Sequence, residues 1–269
     1  MNFSNEEGLT VSANGLAVYY RVFGSGRPLI LLHGATDTHS CWEPFIPEFS
    51  KSFRVFTPDS RGHGRTMNPS LGFSYQDLAD DLAAFILALK LEKPFIFGYS
   101  DGGQAVLDFG MRYPEIASGL VIGGAWYQFS EGYQRAIKEV GFIGPGEIDF
   151  ELFEKHAPPD WEKQMRLAHP NPDPNYPRAL LQDLSRVWWT PLAYEQKDFL
   201  KITAPALILM GERDEMIFLD EAREMAKMIP NAALATIPGA THNDVLGSGS
   251  PAVEMVLKFI LATNSPDPS

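Results

Sequence analysis

Ser100 is the residue in this sequence whose surroundings best suit a nucleophile. It lies in the segment Gly98–Gly103, which directly follows an apolar run and opens a stretch of helical period. A serine on a sharp turn between a strand and a helix projects its hydroxyl from the end of the strand. The helix start there stabilises developing negative charge. Such a turn leaves little room for side chains two residues away, and Gly98 and Gly102 meet that requirement.

A serine hydroxyl needs a general base, and the base needs a carboxylate to orient it. His242 lies in a loop just past the last apolar run. It therefore shares with Ser100 the sheet edge at which parallel strands end. Asp214 follows an earlier apolar run and is the candidate acid, whereas Glu212 and Glu215 beside it are interpreted as surface residues.

The other five histidines are interpreted as non-catalytic. His156 and His169 lie in a proline-rich aromatic segment, and we expect both to be exposed. His33 and His63 lie in glycine-containing turns that follow strands, and we expect them to shape those turns. His39 precedes a short predicted helix and has no supporting pattern.

Short apolar runs alternate with stretches of helical period along most of the chain. Runs buried on both faces belong to a mostly parallel sheet covered by helices, so the sequence predicts an α/β fold. Asn14-Gly15 between two N-terminal runs predicts a hairpin, and Ser74 is the expected N-cap of a helix. Strands are expected at 28–32, 54–57, 94–97, 119–122, 206–210 and 232–237, and helices at 75–89, 102–113, 220–228 and 251–261.

The segment from Trp126 to about Thr190 interrupts this alternation. Proline-rich breaks separate short helical pieces, no strand is predicted, and four of the five tryptophans lie there. We expect a helical cap at 127–190 over the edge of the sheet, with 1–126 and 191–269 forming the core domain. An irregular part of the same domain is the alternative.

Composition excludes several classes of protein. With 34 acidic and 22 basic residues the net charge is −12, and no Lys/Arg cluster offsets it, which argues against a nucleic acid partner. The single cysteine, Cys41, excludes an intramolecular disulfide and a cysteine-based zinc site. Residues 1–7 show no secretory pattern and no apolar run could span a membrane, so we expect a cytoplasmic protein. Nothing in the sequence predicts an oligomeric state.

These motifs together resemble those of the α/β-hydrolase-fold family, over about residues 9–261. The candidates follow its chain order of nucleophile, acid and base. Residues 59–64 are similar to its D-x-R-G-H-G turn, and His33-Gly34 is similar to its oxyanion loop. The resemblance implies a mostly parallel eight-stranded sheet flanked by helices, with a helical cap inserted after the sixth strand.

The resemblance also implies a mechanism. A Ser-His-Asp triad forms an acyl-enzyme while the backbone N–H groups of Ala35 and Asp101 bind the oxyanion. Some relatives carry the acid after the strand that follows the elbow, but Gly123–Ala125 offers no carboxylate here. Serine at the nucleophile position argues against relatives that open epoxides or remove halides. No metal or organic cofactor is required, and the expected partner is a small-molecule substrate with an ester-like carbonyl.

The residues that could select the substrate are Asp101, Trp126 and Tyr127. The elbow is similar to that of valacyclovir-hydrolase-like (biphenyl-hydrolase-like) proteins, which cleave amino-acid esters. That resemblance implies that Asp101 helps to receive an α-amino group, whereas the interpretation we favour makes it a cap of the following helix. Trp126 and Tyr127 directly follow a strand end and are expected to line an apolar pocket.

The sequence therefore predicts a serine hydrolase that cleaves a carboxylic ester, lactone or thioester. A cofactor-free perhydrolase similar to haloperoxidases and a hydrolase of carbon–carbon bonds are alternatives within the same fold. A non-catalytic ligand-binding receptor is the alternative from another class. The presence of all three triad residues argues against that receptor.

Overall fold

The computed structural model describes residues 8–70, 72–247 and 249–263. The expectation about a secretory pattern at residues 1–7 lies outside them. None of the helices in these ranges is long and apolar enough to span a membrane.

A mostly parallel sheet of eight strands forms the centre of the fold. The order across it is β1-β2-β4-β3-β5-β6-β9-β10. β2 is antiparallel to both β1 and β4, and the remaining neighbours are parallel. The strands of the described residues are β1 (Leu9–Ala13), β2 (Leu16–Phe23), β3 (Arg27–Leu32), β4 (Phe53–Pro58), β5 (Phe95–Tyr99), β6 (Gly119–Gly123), β7 (Phe142–Gly144), β8 (Glu147–Ile148), β9 (Ala206–Gly211) and β10 (Ala232–Ile237).

Helices cover both faces of this sheet. Ile30 and Leu32 of β3 belong to one apolar cluster with residues of α2 and α3, whereas Leu29 and Leu31 belong to a second cluster with α1 and α10. The predicted α/β-hydrolase fold is therefore confirmed. The helices are α1 (Ile46–Phe49), α2 (Tyr75–Ala88), α3 (Asp101–Arg112), α4 (Glu131–Glu139), α5 (Phe150–His156), α6 (Trp161–Ala168), α7 (Tyr176–Trp188), α8 (Gln196–Phe199), α9 (Leu219–Met228) and α10 (Ala252–Ala262), with a short 3-10 helix at His39–Trp42.

Two local signals act as expected. Asn14 and Gly15 both adopt positive φ, at 49° and 75°, and join β1 to β2. Ser74 caps α2 through a capping box, in which its hydroxyl accepts the N–H of Asp77 and the Asp77 carboxylate accepts the N–H of Ser74. The first reverses the chain between two antiparallel strands, and the second satisfies backbone N–H groups at the start of α2.

The segment 127–190, here called the insertion, lies between β6 and β9 in the chain and contains α4–α7. The expectation that it holds no strand is wrong, because β7 and β8 form a small antiparallel sheet. Gly141, with φ of 98°, directly precedes β7, and Gly146, with φ of 76°, directly precedes β8. Runs of three and two residues are too short to show the alternation by which a strand is recognised in a sequence. The division into two domains stays a prediction.

The carboxyl ends of β3, β5, β6, β9 and β10 lie at one edge of the sheet, since these strands are parallel. His33, Ser100, Asp214 and His242 follow four of these ends, and Trp126 follows the fifth. The fold therefore brings together residues that are up to 209 positions apart, counted from 33 to 242.

Candidate active site

Ser100, His242 and Asp214 form one chain of hydrogen bonds. Ser100 Oγ lies 3.0 Å from His242 Nε2, and His242 Nδ1 lies 2.8 Å from Asp214 Oδ2. The other oxygen of Asp214 accepts the backbone N–H groups of Met216 and Ile217, at 3.0 and 2.8 Å. With a carboxylate on Nδ1, the imidazole carries its hydrogen there and its Nε2 can accept the serine proton.

The backbone at Ser100 is strained, with φ of 56° and ψ of −122°. A Cβ on Gly98 would lie 2.1 Å from the carbonyl oxygen of Gly102, and one on Gly102 would lie 2.3 Å from that of Leu32. No real Cβ tolerates such distances, so both positions require glycine. This turn places the hydroxyl between the end of β5 and the start of α3.

His242 is held from two sides by residues that the sequence did not assign. The Tyr99 hydroxyl donates to the carbonyl oxygen of His242 at 2.6 Å, and the two rings lie 5.2 Å apart. Burial raises the pKa of Tyr99, so the phenol remains a donor. Glu215, expected to be a surface residue, is exposed but accepts the His242 backbone N–H at 3.2 Å. Both bonds restrict the position of the imidazole.

His33 fixes the turn that follows β3. Its Nε2 accepts the N–H of Ser60 at 2.9 Å, so its Nδ1 carries the hydrogen and donates to the carbonyl oxygen of Gly34 at 2.7 Å. That carbonyl and the Ala35 N–H belong to one trans peptide and point in opposite directions. The imidazole of His33 therefore fixes the direction of the Ala35 N–H.

The two expected oxyanion donors lie beside the nucleophile. Ala35 and Asp101 line the same cavity as Ser100. Asp101 is the first residue of α3, so its N–H has no acceptor within the helix. A Cβ on Gly34 would come within 3.1 Å of that of Ser100. The arrangement suits a carbonyl oxygen bound by two N–H groups, and the oxyanion hole itself stays a prediction.

His169 is buried, so the expectation that it is exposed is wrong. Its Nδ1 accepts the N–H of Gly64 at 2.8 Å, and its Nε2–H donates to the carbonyl oxygen of Thr36 at 3.0 Å. Both ring nitrogens thus have backbone partners on two core loops, which offsets the unfavourable burial of a polar ring. Burial lowers the pKa of His169, in keeping with a neutral imidazole. His156 is exposed, as expected.

Asp101 does not cap the helix, so that interpretation is wrong. Ser100 is the N-cap residue, and the Asp101 carboxylate accepts the Tyr75 hydroxyl at 2.8 Å and the indole N–H of Trp188 at 3.0 Å. The carboxylate is buried, and this burial raises its pKa. The bond from Trp188 joins α7 of the insertion to the residue next to the nucleophile.

A cavity of about 600 Å³ extends from Ser100 into the insertion, a volume within the range of small-molecule sites. Trp126 lines it, but Tyr127 does not. The backbone N–H of Trp126 donates to the amide oxygen of Gln104 on α3, while the Tyr127 hydroxyl donates to Glu224 on α9. The bond to Glu224 directs the Tyr127 side chain to α9, whereas Trp126 lines the cavity.

The buried histidines predict a pH-dependent stability. Burial lowers the pKa of His33 to about 4 and that of His63 to about 3, from 6.5. Below pH 6.5 the unfolded chain therefore binds protons that the folded protein does not. We expect the free energy of unfolding, measured by urea titration, to be highest above pH 7. It should fall as the pH is lowered to 5.5, with a slope approaching about 1.4 kcal/mol per pH unit for each histidine.

Two histidine variants make this measurement specific. His63 Nδ1 donates to the carbonyl oxygen of Arg61, and His63→Asn keeps a donor there while it removes the titrating ring, so the slope should become shallower. His156→Asn changes an exposed histidine and should leave the slope as it is. Equal slopes in the unmodified protein and in both variants would contradict the assignment of the pH dependence to the buried His63.

Comparison with known proteins identifies the family of this chain. A sequence model of the alpha/beta hydrolase family matches residues 29–256. The chain is 25% identical to a 2-hydroxy-6-oxo-2,4-heptadienoate hydrolase of Pseudomonas putida, over 97% of this chain and 99% of that protein. It is 26% identical to the bifunctional esterase/perhydrolase DCH of Acinetobacter calcoaceticus, over 95% of this chain and 98% of that protein.

A solved structure is similar over the same extent. The crystal structure of an esterase from a Rhodococcus species covers 96% of this chain and 99% of its own, with a TM-score of 0.75 at 22% identity. Such a likeness concerns the fold, whereas the matched sequence model spans most of the chain and includes the elbow and all three residues of the hydrogen-bonded chain. This protein belongs to the alpha/beta hydrolase family.

Proposed function

We propose that this protein is a serine hydrolase that cleaves a carboxylic ester, lactone or thioester through an acyl-enzyme. The observation that carries the proposal is the unbroken hydrogen-bond chain from Asp214 through His242 to Ser100, which lines a cavity large enough for a small molecule. A nucleophile, a base and a carboxylate that orients the base are the groups that acyl transfer requires.

Ser100 Oγ forms a bond to the carbonyl carbon as His242 Nε2 takes the hydroxyl proton. The electron pair of the carbonyl moves to its oxygen, which the N–H groups of Ala35 and Asp101 stabilise. When the carbonyl re-forms, the bond to the leaving group breaks and His242 gives its proton to that group. Water then repeats the cycle on the acyl-enzyme, with His242 again as the base. Each missing oxyanion donor typically lowers the rate by about 10²–10³.

Asp214 acts through His242 and does not touch the substrate. Its carboxylate holds the imidazole in the tautomer with hydrogen on Nδ1 and stabilises the imidazolium formed during attack. The N–H groups of Met216 and Ile217 fix its second oxygen. The carboxylate therefore has one orientation, set by the loop that follows β9.

Hydrolysis of carbon–carbon bonds and perhydrolysis use the same nucleophile, base and oxyanion donors. The names of two relatives support both reactions as further candidates. The Pseudomonas protein is named for hydrolysis of a dienoate, and the Acinetobacter protein for both esterase and perhydrolase activity. Cleavage of 2-hydroxy-6-oxo-2,4-heptadienoate in preference to esters would favour the carbon–carbon hydrolase. Halogenation that depends on hydrogen peroxide would favour the perhydrolase.

Labelling with a fluorophosphonate tests the proposal, because this reagent modifies an activated serine. We expect the adduct on Ser100 by peptide mapping, and none in Ser100→Ala. Hydrolysis of p-nitrophenyl acetate should fall by about 10⁴–10⁶ in Ser100→Ala and in His242→Ala, as for removal of these residue types in other triads.

Ser70→Ala is the matched control, since Ser70 is an exposed serine on a loop, and it should keep both labelling and turnover. An adduct on another serine would overturn the choice of nucleophile. An unchanged rate in His242→Ala would overturn the choice of base. A folded protein with neither adduct nor turnover would favour the non-catalytic receptor.

A further inference from the structure

Among the described residues, the cavity beside Ser100 is lined by three carboxylates and by no lysine or arginine. The carboxylates belong to Asp37, Asp101 and Glu215. Apart from His242, the lining residue that can become positive is His156, which is exposed. A substrate carboxylate would find no permanent cation here.

Asp101 makes this charge pattern most unfavourable for an anion. Its carboxylate is buried next to the nucleophile, and its donors are the Tyr75 hydroxyl and the Trp188 indole, both uncharged. A second negative group brought close to it would repel it with little screening by water. The entering anion would also lose its hydration without gaining a positively charged partner.

The part of the cavity within the insertion is lined mostly by apolar side chains, with His156 and Gln164 as polar exceptions, and we call it the insertion compartment. Aromatic side chains build it in edge-to-face pairs: the rings of Phe142 and Trp188 lie 4.6 Å apart, and those of Phe153 and Trp161 lie 5.1 Å apart. Its apolar wall includes Phe142, Phe153, Trp161, Met165, Leu181 and Trp188. Such a surface binds hydrocarbon and aromatic groups.

The position of His242 decides which half of an ester faces this compartment. The leaving group must lie beside His242, which gives it a proton, and therefore near Glu215 and Asn243. Trp188 of the insertion compartment instead contacts Asp101, whose backbone N–H is an expected oxyanion donor. We therefore assign the leaving group to the His242 end of the cavity and the acyl half to the insertion compartment.

We infer that the substrate is an uncharged ester whose acyl group is bulky and apolar. This inference rests on the proposed esterase function and adds its substrate class. It differs from what the names of the similar dienoate hydrolase and of a similar 2-(acetamidomethylene)succinate hydrolase indicate for those proteins, since both names denote carboxylate substrates.

Matched p-nitrophenyl esters test the inference on the unmodified protein. Pentanoate and the half-ester of glutarate have the same length but end in a methyl group and a carboxylate. We expect kcat/KM to be about a hundredfold higher for pentanoate, because the glutarate carboxylate would lose its hydration in the apolar insertion compartment, which adjoins the Asp101 carboxylate. For the 3-phenylpropanoate ester it should be about thirtyfold higher than for the acetate, because the ring is buried.

Asp37→Asn removes one lining charge without a change of shape. The glutarate-to-pentanoate ratio of kcat/KM should rise about fivefold, the effect of one charge a few ångströms away in a wet site. Asp220→Asn, an exposed aspartate on α9 outside the cavity, should leave this ratio unchanged.

The outcomes separate the two proposals. Glutarate cleaved as well as pentanoate, or phenylpropanoate cleaved more slowly than acetate, would overturn the inference while the esterase proposal stands. Ser100-dependent turnover of none of these esters would overturn the esterase proposal, and the substrate class with it.

A second, independent observation concerns the backbone of Thr36. It adopts φ of 60°, a left-handed conformation that is rare for a β-branched residue and unfavourable unless neighbouring contacts maintain it. His169 of the insertion supplies such a contact, since its Nε2–H donates to the Thr36 carbonyl oxygen at 3.0 Å. Thr36 directly follows Ala35, whose N–H is the expected oxyanion donor.

We propose that His169 is a positioning residue for the Ala35 N–H. From the insertion, it holds Thr36 in the conformation that aims the preceding N–H at the reacting carbonyl. This proposal rests on the oxyanion role of Ala35. Because a displaced oxyanion donor weakens binding of the transition state and not of the substrate, loss of this contact should lower kcat and leave KM almost unchanged.

Two amide variants separate the two bonds of the imidazole. His169→Gln can place its amide N–H near the Nε2 position and keep the bond to Thr36, whereas His169→Asn keeps only an acceptor for Gly64. We expect kcat to fall about tenfold in the asparagine variant, with less than a threefold change in the glutamine variant. Equal losses in both variants, or a loss confined to KM, would overturn the proposal.

Thr36→Gly provides the rescue, because glycine adopts positive φ without strain. In that background, His169→Asn should lower kcat less than threefold, since the contact is no longer needed to maintain the conformation. An undiminished tenfold loss in the double variant would show that His169 acts in another way and would overturn the proposal.

Discussion

The left-handed backbone at Ser100 is the constraint on which the rest of the site depends. This backbone conformation is maintained because β5 is paired on both sides and α3 begins directly after Ser100. It also requires glycine at positions 98 and 102, since a Cβ at either would lie little more than 2 Å from a backbone oxygen. The position from which the Ser100 side chain extends is therefore fixed. His242, Asp214 and the turn at 34–36 can each be placed relative to it by a different strand end.

The fold and the hydrogen-bonded chain could be predicted from the sequence because both depend on periodic patterns. Buried runs define the strands, parallel strands end at one edge, and the residues after those ends must meet there. Ser100 also depended on the glycine-flanked elbow, and the choice of Asp214 over Glu212 and Glu215 was supported by the chain order of the family that the sequence resembles. The environment of Asp101 could not be predicted, because its donors, Tyr75 and Trp188, come from α2 and α7, whose packing has no local signature.

The insertion shows where sequence patterns stop being informative. His169 lies before a proline-rich stretch that is typical of an exposed loop, yet it is buried through bonds to residues 105 and 133 positions away. Tyr127 is adjacent to Trp126 but reaches α9 and not the cavity. In each case a single tertiary hydrogen bond decides the outcome, and no periodicity in the sequence records it.

The hydrogen bond between Trp188 and Asp101 has an optical consequence. An indole that donates to a buried carboxylate emits differently from one in water, and this indole belongs to the insertion while its acceptor adjoins Ser100. Movement of α7 away from the core would break that bond and shift the emission. Trp188 is one of five tryptophans, so in a variant that keeps it alone the emission would report, in real time and without a label, whether the insertion contacts Asp101.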